Sequence, residues 1–180
     1  KPTKGYLVSF GSEIAGLGGD EQFIKSIASG KIYRGIYGNN IIFSTELEGG
    51  ILSMGKGYSK VVDRFQLGGR SFRGFKYTGI GPRELSGGSH TIPLGGENYA
   101  IARFAASFPL GLPRELGLYG SVFAEAGSLW GLKTDSSVPG LSDKVALTAR
   151  SFRSSIGFAM NWETPIGPLQ FNWSRPQKYL

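Results

Sequence analysis

The chain has 180 residues, of which 29 are glycine, 13% are aromatic and only 18% are charged, below the roughly one quarter that is typical of soluble domains. It carries a net charge of +7, no cysteine and a single histidine, His90, which excludes disulfides, thiolate metal sites and histidine-based zinc centres. No apolar run approaches the about 18 residues of a transmembrane helix, and because the first residues already alternate like a strand, we expect no cleavable targeting segment.

Seven segments are predicted as β-strands, because their apolar residues follow a period of two and helical spacing is hard to find. In chain order they are YLVSFGSEI (6–14), QFIKSIASGKIYRGI (22–36), IIFSTELEGGI (41–51), NYAIARFAASF (98–108), LGLYGSVFAEAGSLW (116–130), RSSIGFAMNWE (153–163) and LQFNWS (169–174). The first, third, sixth and seventh separate an apolar from a polar face; in the sixth, Phe158 and Trp162 oppose Ser155 and Asn161. The other three alternate less strictly.

The lengths of these segments favour a membrane barrel. Most exceed ten residues, whereas strands of globular proteins usually have about five or six and a tilted bilayer-spanning strand needs about 9 to 11. Short connections at 37–40, 109–115 and 164–168 alternate with longer ones, above all 55–95 and 131–147. This asymmetry is typical of outer-membrane barrels. We therefore predict an all-β fold, an antiparallel transmembrane β-barrel.

The apolar strand faces are expected to contact lipid, and the polar faces to line a wet lumen. Tyr6, Trp130, Trp162 and Trp173 lie near segment ends, where an interfacial aromatic belt forms. A soluble sandwich or soluble β enzyme, with the apolar face buried in a core, stays open as an alternative. Because seven antiparallel strands leave two open edges, which lipid does not tolerate, we expect the chain to be part of a larger barrel.

Residues that could carry catalysis are few. The sequence has no phosphate-binding loop, no HExxH motif and no GxSxG motif, which removes three common kinds of active site. Glu46 and Glu48 share one strand face at a spacing of about 7 Å and could form an acid/base pair. A hydrated polar face is the simpler interpretation, because nothing apolar in the sequence surrounds them to shift a pKa. His90 is assigned no role, and we predict no enzyme activity, metal or cofactor.

Basic residues cluster in or beside the longest connection: Lys56, Lys60, Arg64, Arg70, Arg73, Lys76 and Arg83. With aromatic residues nearby, such a cluster could form a groove for nucleic acid. The low charge elsewhere and the lipid-type strands favour a phosphate-rich membrane surface or an internal ion pair instead. We therefore predict no nucleic-acid partner.

Within that connection, the stretch DRFQLGGRSFRGFKYTGIGPRE (63–84) has an aromatic residue before Gly-Gly, then Arg-Gly-Phe, then Ile-Gly-Pro. This order closely resembles the signature loop of the BamA family of bacterial outer-membrane protein assembly factors. Downstream, GGENYAIARFAASFPLGLP, VFAEAGSLW and ETPIGPLQFNWSRPQKY resemble the strands that follow in the same barrels. The resemblance covers essentially the whole chain, and barrels of two-partner secretion, autotransporter assembly and organelle import share parts of it.

The resemblance implies a sixteen-stranded barrel whose first and last strands meet at a weak seam, preceded by periplasmic repeat domains. Residues 1–180 would then be the C-terminal portion of the outer-membrane β-barrel domain, with a long inward-folding loop at about 56–95. The periplasmic repeat domains and the last strand would be absent from this chain.

The resemblance also implies a site at which the loop is anchored. Its motif would be Phe72, Arg73, Gly74 and Phe75, and the salt-bridge partner of Arg73 would be Glu125 on a barrel strand. Residues that would support the motif are Gly68, Gly69, Ile80, Gly81 and Pro82. A second carboxylate of the family falls at Ala105, so we expect that contact to be absent, unless Arg103 and Glu97 rearrange the charged network.

One ion pair is too weak to order a loop of this length, because ordering costs about 1 to 2 kcal/mol per residue and a charged hydrogen bond contributes about 1.5 to 3 kcal/mol. Packing against the inner wall is therefore expected from Phe65, Phe72, Phe75 and Ile80, with glycine allowing the close turns.

The function that the resemblance implies is the assembly and insertion of β-barrel proteins into the bacterial outer membrane without ATP, by templating on strand edges and by local perturbation of the bilayer. The implied partners are outer-membrane lipids, unfolded outer-membrane protein clients and accessory assembly lipoproteins. The alternative is an outer-membrane protein-translocation pore of the same superfamily, of the two-partner secretion type, in which the loop plugs a channel.

Overall fold

The structure, a computed structural model, describes residues 2–16, 22–38, 40–85, 91–133, 145–146 and 151–177. The strands are β1 Lys4–Ala15, β2 Gln22–Ile36, β3 Ile41–Lys56, β4 Arg83–Leu85, β5 Thr91–Pro93, β6 Asn98–Pro109, β7 Leu118–Trp130, β8 Val145–Ala146, β9 Arg153–Thr164 and β10 Gly167–Pro176. A short 3-10 turn occupies Arg114–Leu116. Within these ranges no helix has the length and apolar character to cross a membrane.

Seven long strands form one antiparallel sheet in the order β1-β2-β3-β6-β7-β9-β10, which confirms the predicted all-β fold and the seven predicted strands. The predicted bounds of β2, residues 22–36, are those observed. The sheet extends β3 to Lys56, five residues beyond the prediction, because Ile51 points outward while the next residue, Leu52, is buried against the other face. Two successive apolar residues hide the alternation that would have marked this part of the strand.

Three short strands form a second sheet in the order β5-β4-β8. β4 and β5 belong to the connection between β3 and β6, whereas β8 belongs to the connection between β7 and β9. The two long connections therefore pair with each other beside the same rim of the large sheet. These strands have only two or three residues, too few for a period of two to be recognised, and the sequence did not predict them. His90 and the connections at 17–21 and 134–144 lie outside the described residues.

One face of the large sheet, called here the outer face, exposes large apolar side chains. They include Tyr6, Val8, Phe10, Ile32, Phe43, Leu47, Phe104, Val122, Ile156, Phe158, Trp162, Phe171 and Trp173. Phe158 is 50% exposed and Trp162 is 41% exposed, and among the described ranges no segment covers this face as a sandwich would require. Phe158 stacks on Trp173 of the neighbouring strand, with ring centroids 4.6 Å apart.

The opposite face, called here the inner face, carries charged and small side chains and is partly covered by the connection between β3 and β6. Its buried residues include Leu52, Tyr99 and Ile101, which pack against that connection. This explains why β6 and β7 alternate less strictly in sequence: both of their faces must be apolar where the connection docks. An outer-membrane barrel with an occupied lumen has this arrangement.

Leu47→Arg places a charge on the outer face in the middle of β3 and tests whether this face contacts lipid. In the full-length protein folded into lipid vesicles, we expect the free energy of unfolding to fall by about 2 to 4 kcal/mol, whereas Tyr6→Arg near a strand end costs about 0 to 1 kcal/mol. Denaturant titration monitored by tryptophan fluorescence measures both. Equal, small losses for the two variants would contradict a lipid-facing surface.

Candidate functional site

The connection between β3 and β6 folds back on itself against the inner face. The Phe65 N–H donates to the Gly96 carbonyl (2.9 Å), and the Gly96 N–H returns the bond to Phe65 (3.0 Å). Deeper in the loop, residues 67–80 form a closed unit, called here the loop hairpin. It is closed by a bridge between Leu67 and Ile80, and the Gly69 N–H donates to the Phe75 carbonyl inside it (3.0 Å).

Apolar packing fastens the loop hairpin to the sheet. Phe65, Leu67, Phe72 and Ile80 from the loop form one buried cluster with Leu52, Tyr99, Ile101 and Leu129 from the strands. Phe72 lies at its centre with no exposed surface, and Phe75 meets it edge to face at 5.4 Å. Burying one such side chain contributes about 1.5 to 3 kcal/mol, so this cluster supplies most of the energy that orders the loop.

Arg73 and Glu125 are in direct contact, at the edge of this cluster. The Arg73 Nε donates to Glu125 Oε1 at 2.6 Å, and the backbone N–H of Arg73 donates to Glu125 Oε2 at 2.8 Å. The Glu125 side chain is only 2% exposed. The carboxylate therefore holds the arginine through one main-chain and one side-chain donor, rather than through two guanidinium nitrogens alone.

The guanidinium of Arg73 also lies over an aromatic ring. Its Cζ is 3.4 Å from the ring centroid of Phe123, which precedes Glu125 by two residues on the same face of β7. An arginine stacked on a ring and paired with a carboxylate is fixed in both position and plane. Two successive side chains on the inner face of β7, Phe123 and Glu125, therefore both contact Arg73.

A second contact holds the other side of the loop hairpin through Arg103, whose partners the sequence did not predict. Arg103 on β6 donates through Nη2 to the Ser71 carbonyl at 2.8 Å, and through Nη1 to Glu46 at 3.2 Å and to Glu48 at 3.0 Å. Glu46 and Glu48 are therefore not merely a hydrated polar face, because they orient the arginine that binds the loop. Tyr99 adds a hydrogen bond to Glu48 at 2.8 Å.

These charges form an alternating row across the inner face. Lys31, Glu46, Arg103 and Glu125 are directly opposite one another in β2, β3, β6 and β7, and Lys31 Nζ is 3.1 Å from Glu46. Opposite charges on neighbouring strands stabilise the pairing, and like charges would destabilise it. The row ends where Arg73 from the loop reaches Glu125.

The first part of the loop is held by a separate polar group. Ser59 donates to the buried Glu97 carboxylate (2.8 Å), and Arg64 donates through Nε to Ser59 Oγ (2.8 Å) and through Nη1 to the Leu94 carbonyl (3.1 Å). Burial lowers the pKa of the Arg64 guanidinium, and the charge of Glu97 opposes this shift. From β2, Lys25 donates to the Asp63 carbonyl (2.8 Å).

Glycine permits the close approaches that the loop hairpin makes. Gly68, Gly69, Gly74 and Gly81 all have positive φ angles, and Pro82 is fully buried beside them. A Cβ on Gly81 would lie 2.5 Å from Leu129 Cδ2, and a Cβ on Gly68 would overlap the Lys76 carbonyl oxygen. The motif-supporting residues therefore lie where the loop is tightest.

Ala105 lies on the inner face of β6, opposite Phe123 of β7, so it offers no carboxylate to the loop. Arg103, one inward position away on the same strand, contacts the loop through Ser71 instead. The sequence signal for this second contact was the basic residue on a small, apolar strand, opposite Glu46 on one side and Glu125 on the other. Reading it required the strand register, which the sequence alone did not provide.

Glu125→Ala removes both acceptors of Arg73 and tests how strongly this contact holds the loop hairpin. Two hydrogen bonds to a charged group contribute about 1.5 kcal/mol or more each, so we expect hydrogen exchange of the residue 69–80 amides to accelerate about a hundredfold. Mass spectrometry of the full-length protein measures this. Glu115→Ala, at an exposed glutamate in the turn before β7, is the matched control and should leave exchange unchanged. Unchanged protection in Glu125→Ala would show that the pair does not hold the loop.

Gly68→Ala tests the tight turn of the loop hairpin. The added methyl overlaps main-chain atoms that cannot move independently, so we expect the loop hairpin to lose its native packing and become cleavable by added protease. Gly111→Ala is the control, because Gly111 also has a positive φ but an added Cβ there meets no atom within 4 Å. It should cost only about 1 to 2 kcal/mol. Equal protease resistance in the two variants would contradict the close contact.

This chain is similar in sequence to proteins of one known superfamily. Residues 1–179 match the Omp85 superfamily domain. The outer membrane protein assembly factor BamA of Neorickettsia risticii is 32% identical over 173 residues, covering 94% of this chain and 21% of that protein. The BamA of Neisseria meningitidis serogroup B is 27% identical over 98% of this chain. The mouse sorting and assembly machinery component 50 homolog is 37% identical over 125 residues, or 68% of this chain and 25% of that protein.

A solved structure shows the same fold. The crystal structure of BamA from Haemophilus ducreyi lacking POTRA domains 1–3 matches 98% of this chain and 36% of that chain, with a TM-score of 0.81 and 22% sequence identity. The chain spans about a fifth of the length of the bacterial relatives it matches. Its exposed apolar outer face and its bacterial relatives place it in the bacterial outer membrane, as predicted. The chain belongs to the Omp85 superfamily.

Proposed function

We propose that this chain is part of a protein that folds β-barrel proteins and inserts them into the outer membrane. The observation that carries the proposal is the loop hairpin docked on the inner face through Arg73 and the buried Glu125. Relatives of this chain are named as an outer membrane protein assembly factor and as a sorting and assembly machinery component. Residues 1–180 would be the C-terminal portion of the barrel domain.

The proposed mechanism needs neither ATP nor a cofactor, and the protein would not be an enzyme. An unpaired strand edge offers a row of main-chain donors and acceptors to an incoming strand. Because main-chain groups are the same in every residue, clients need little side-chain identity. Local perturbation of the bilayer near the seam would lower the barrier to insertion. The docked loop hairpin would keep the wall formed by β6 and β7 in one arrangement while strands are added elsewhere.

The proposed partners follow from the same role. Unfolded outer-membrane proteins would be the clients, outer-membrane lipids would contact the outer face, and accessory assembly lipoproteins would bind elsewhere on the whole protein. Nucleic acid is not proposed as a partner, because the basic residues of the loop that are described in contact use their charge internally, as Arg73 and Arg64 do.

Arg73→Ala in the full-length protein tests the function in cells. The variant loses the Nε bond to Glu125 and the stacking on Phe123, so we expect the amounts of folded outer-membrane barrels to fall several-fold, in step with the loss in Glu125→Ala. Immunoblots of heat-modifiable client barrels measure this, with Glu115→Ala as the control. Normal client levels in both Arg73→Ala and Glu125→Ala, with the variant proteins present in normal amounts, would count against the assembly function.

A translocation pore of the same superfamily makes a different prediction for the same variants. If the loop plugs a channel, deleting residues 67–80 should open a large, steady conductance in planar bilayers, and folded client levels should stay normal. For the assembly function we expect client levels to fall whatever the conductance does.

A further inference from the structure

The charged residues that the described strands place on the outer face of the large sheet lie near strand ends, and all of them are basic. Alternation along the strands assigns Lys4, Arg34 and Arg175 to this face, with Tyr6, Ile32 and Trp173 as their neighbours. The acidic residues of the described long strands all lie on the inner face: Glu13, Glu46, Glu48, Glu125 and Glu163. A lipid-facing surface with cations only at its borders is suited to anionic headgroups.

Two of these cations form a pair. Lys4 of β1 and Arg34 of β2 are directly opposite each other, both are exposed, and neither makes an ion pair with a residue that the structure describes. Side chains directly opposite on one face have Cβ atoms about 4.5 to 5.5 Å apart, and like charges in such a position destabilise the strand pair. An anion placed between them would turn this repulsion into attraction.

The pair lies at the height of one lipid headgroup layer. Ile24 and Arg34 on the outer face of β2 are ten positions apart. This is about 33 Å of strand, or about 25 Å of bilayer at the usual barrel tilt, which is the height of the apolar band. Arg34 stands just before the short turn that joins β2 to β3, and short turns face the periplasm. Tyr37 in that turn is 80% exposed, as expected of a residue at the interface.

An apolar floor adjoins the pair. Tyr6 follows Lys4 on the outer face, and Phe43 is directly opposite Arg34 on β3. Both rings are exposed, so acyl chains could lie on them while a headgroup is held by the two cations. A free phosphate ion would use the cations but not these rings.

We propose that Lys4 and Arg34 form a binding site for the phosphodiester of an anionic phospholipid in the periplasmic leaflet, with its acyl chains against Tyr6 and Phe43. The site lies on the opposite side of the sheet from the loop hairpin. It does not depend on the assembly function, so either proposal can fail without the other.

Native mass spectrometry of the full-length protein in detergent, titrated with phosphatidylglycerol or phosphatidylcholine, tests the site. Each basic residue near an anionic headgroup contributes roughly 1 kcal/mol, so the double variant Lys4→Gln, Arg34→Gln should weaken binding of the first phosphatidylglycerol about thirtyfold. Binding of phosphatidylcholine should not change. The variant Lys4→Arg, Arg34→Lys keeps both charges and should retain the preference. Arg175→Gln removes one cation of the same face at the opposite rim and should change the first binding step less than about threefold.

Three results would overturn the proposal. The first is a double Gln variant that still prefers phosphatidylglycerol, and the second is an equal loss in Arg175→Gln, which would indicate general attraction by net charge. The third is full displacement of phosphatidylglycerol by millimolar inorganic phosphate, which would identify a site for the free ion rather than for a lipid.

Discussion

The docking of the loop hairpin on the inner face is the interaction on which the rest of this structure depends. The sheet is apolar on both sides along β6 and β7: Phe104 and Val122 point outward, whereas Ile101 and Leu129 point inward. Lipid can cover the outer side, but the inner side of a barrel is wet. The loop supplies the apolar surface that a lumen filled only with water would leave unsatisfied. Loop and strands therefore form one folding unit rather than a scaffold with an appendage.

The apolar cluster and the charged contacts divide the work of holding the loop. Phe72 and its neighbours give most of the binding energy, which is not directional. The buried Glu125 accepts two bonds from Arg73, and a buried pair contributes little net stability but is costly to break. The Arg73–Glu125 pair therefore selects one position of the loop over other positions that would bury a similar apolar area. Arg103, held by Glu46 and Glu48, does the same from the other side through Ser71.

The inner and outer faces of the long strands thus have different surroundings. On β2, Lys31 faces inward and joins the charge row, and Arg34, three residues later, faces outward near the end of the strand. A shift of one residue in register would exchange these surroundings and place Lys31 in the apolar band. The charged residues therefore help to specify the register, in addition to the apolar pattern.

Period-two alternation predicted the seven long strands and the common face of Phe158 and Trp162, because side chains of a strand point alternately to its two faces. That this face points outward was an expectation from the sequence, and the exposure of both side chains in the structure agrees with it. The loop motif named Arg73 and Glu125 as partners, which the structure brings together. Only the tertiary structure decided that the main-chain N–H of Arg73 is one of the donors, that Arg103 holds Ser71, and that β4 pairs with β8. The two arginine contacts join residues that are 52 and 32 positions apart in the chain. No local sequence pattern encodes such contacts, because they depend on the strand register and on where the glycine-rich loop can approach the inner face.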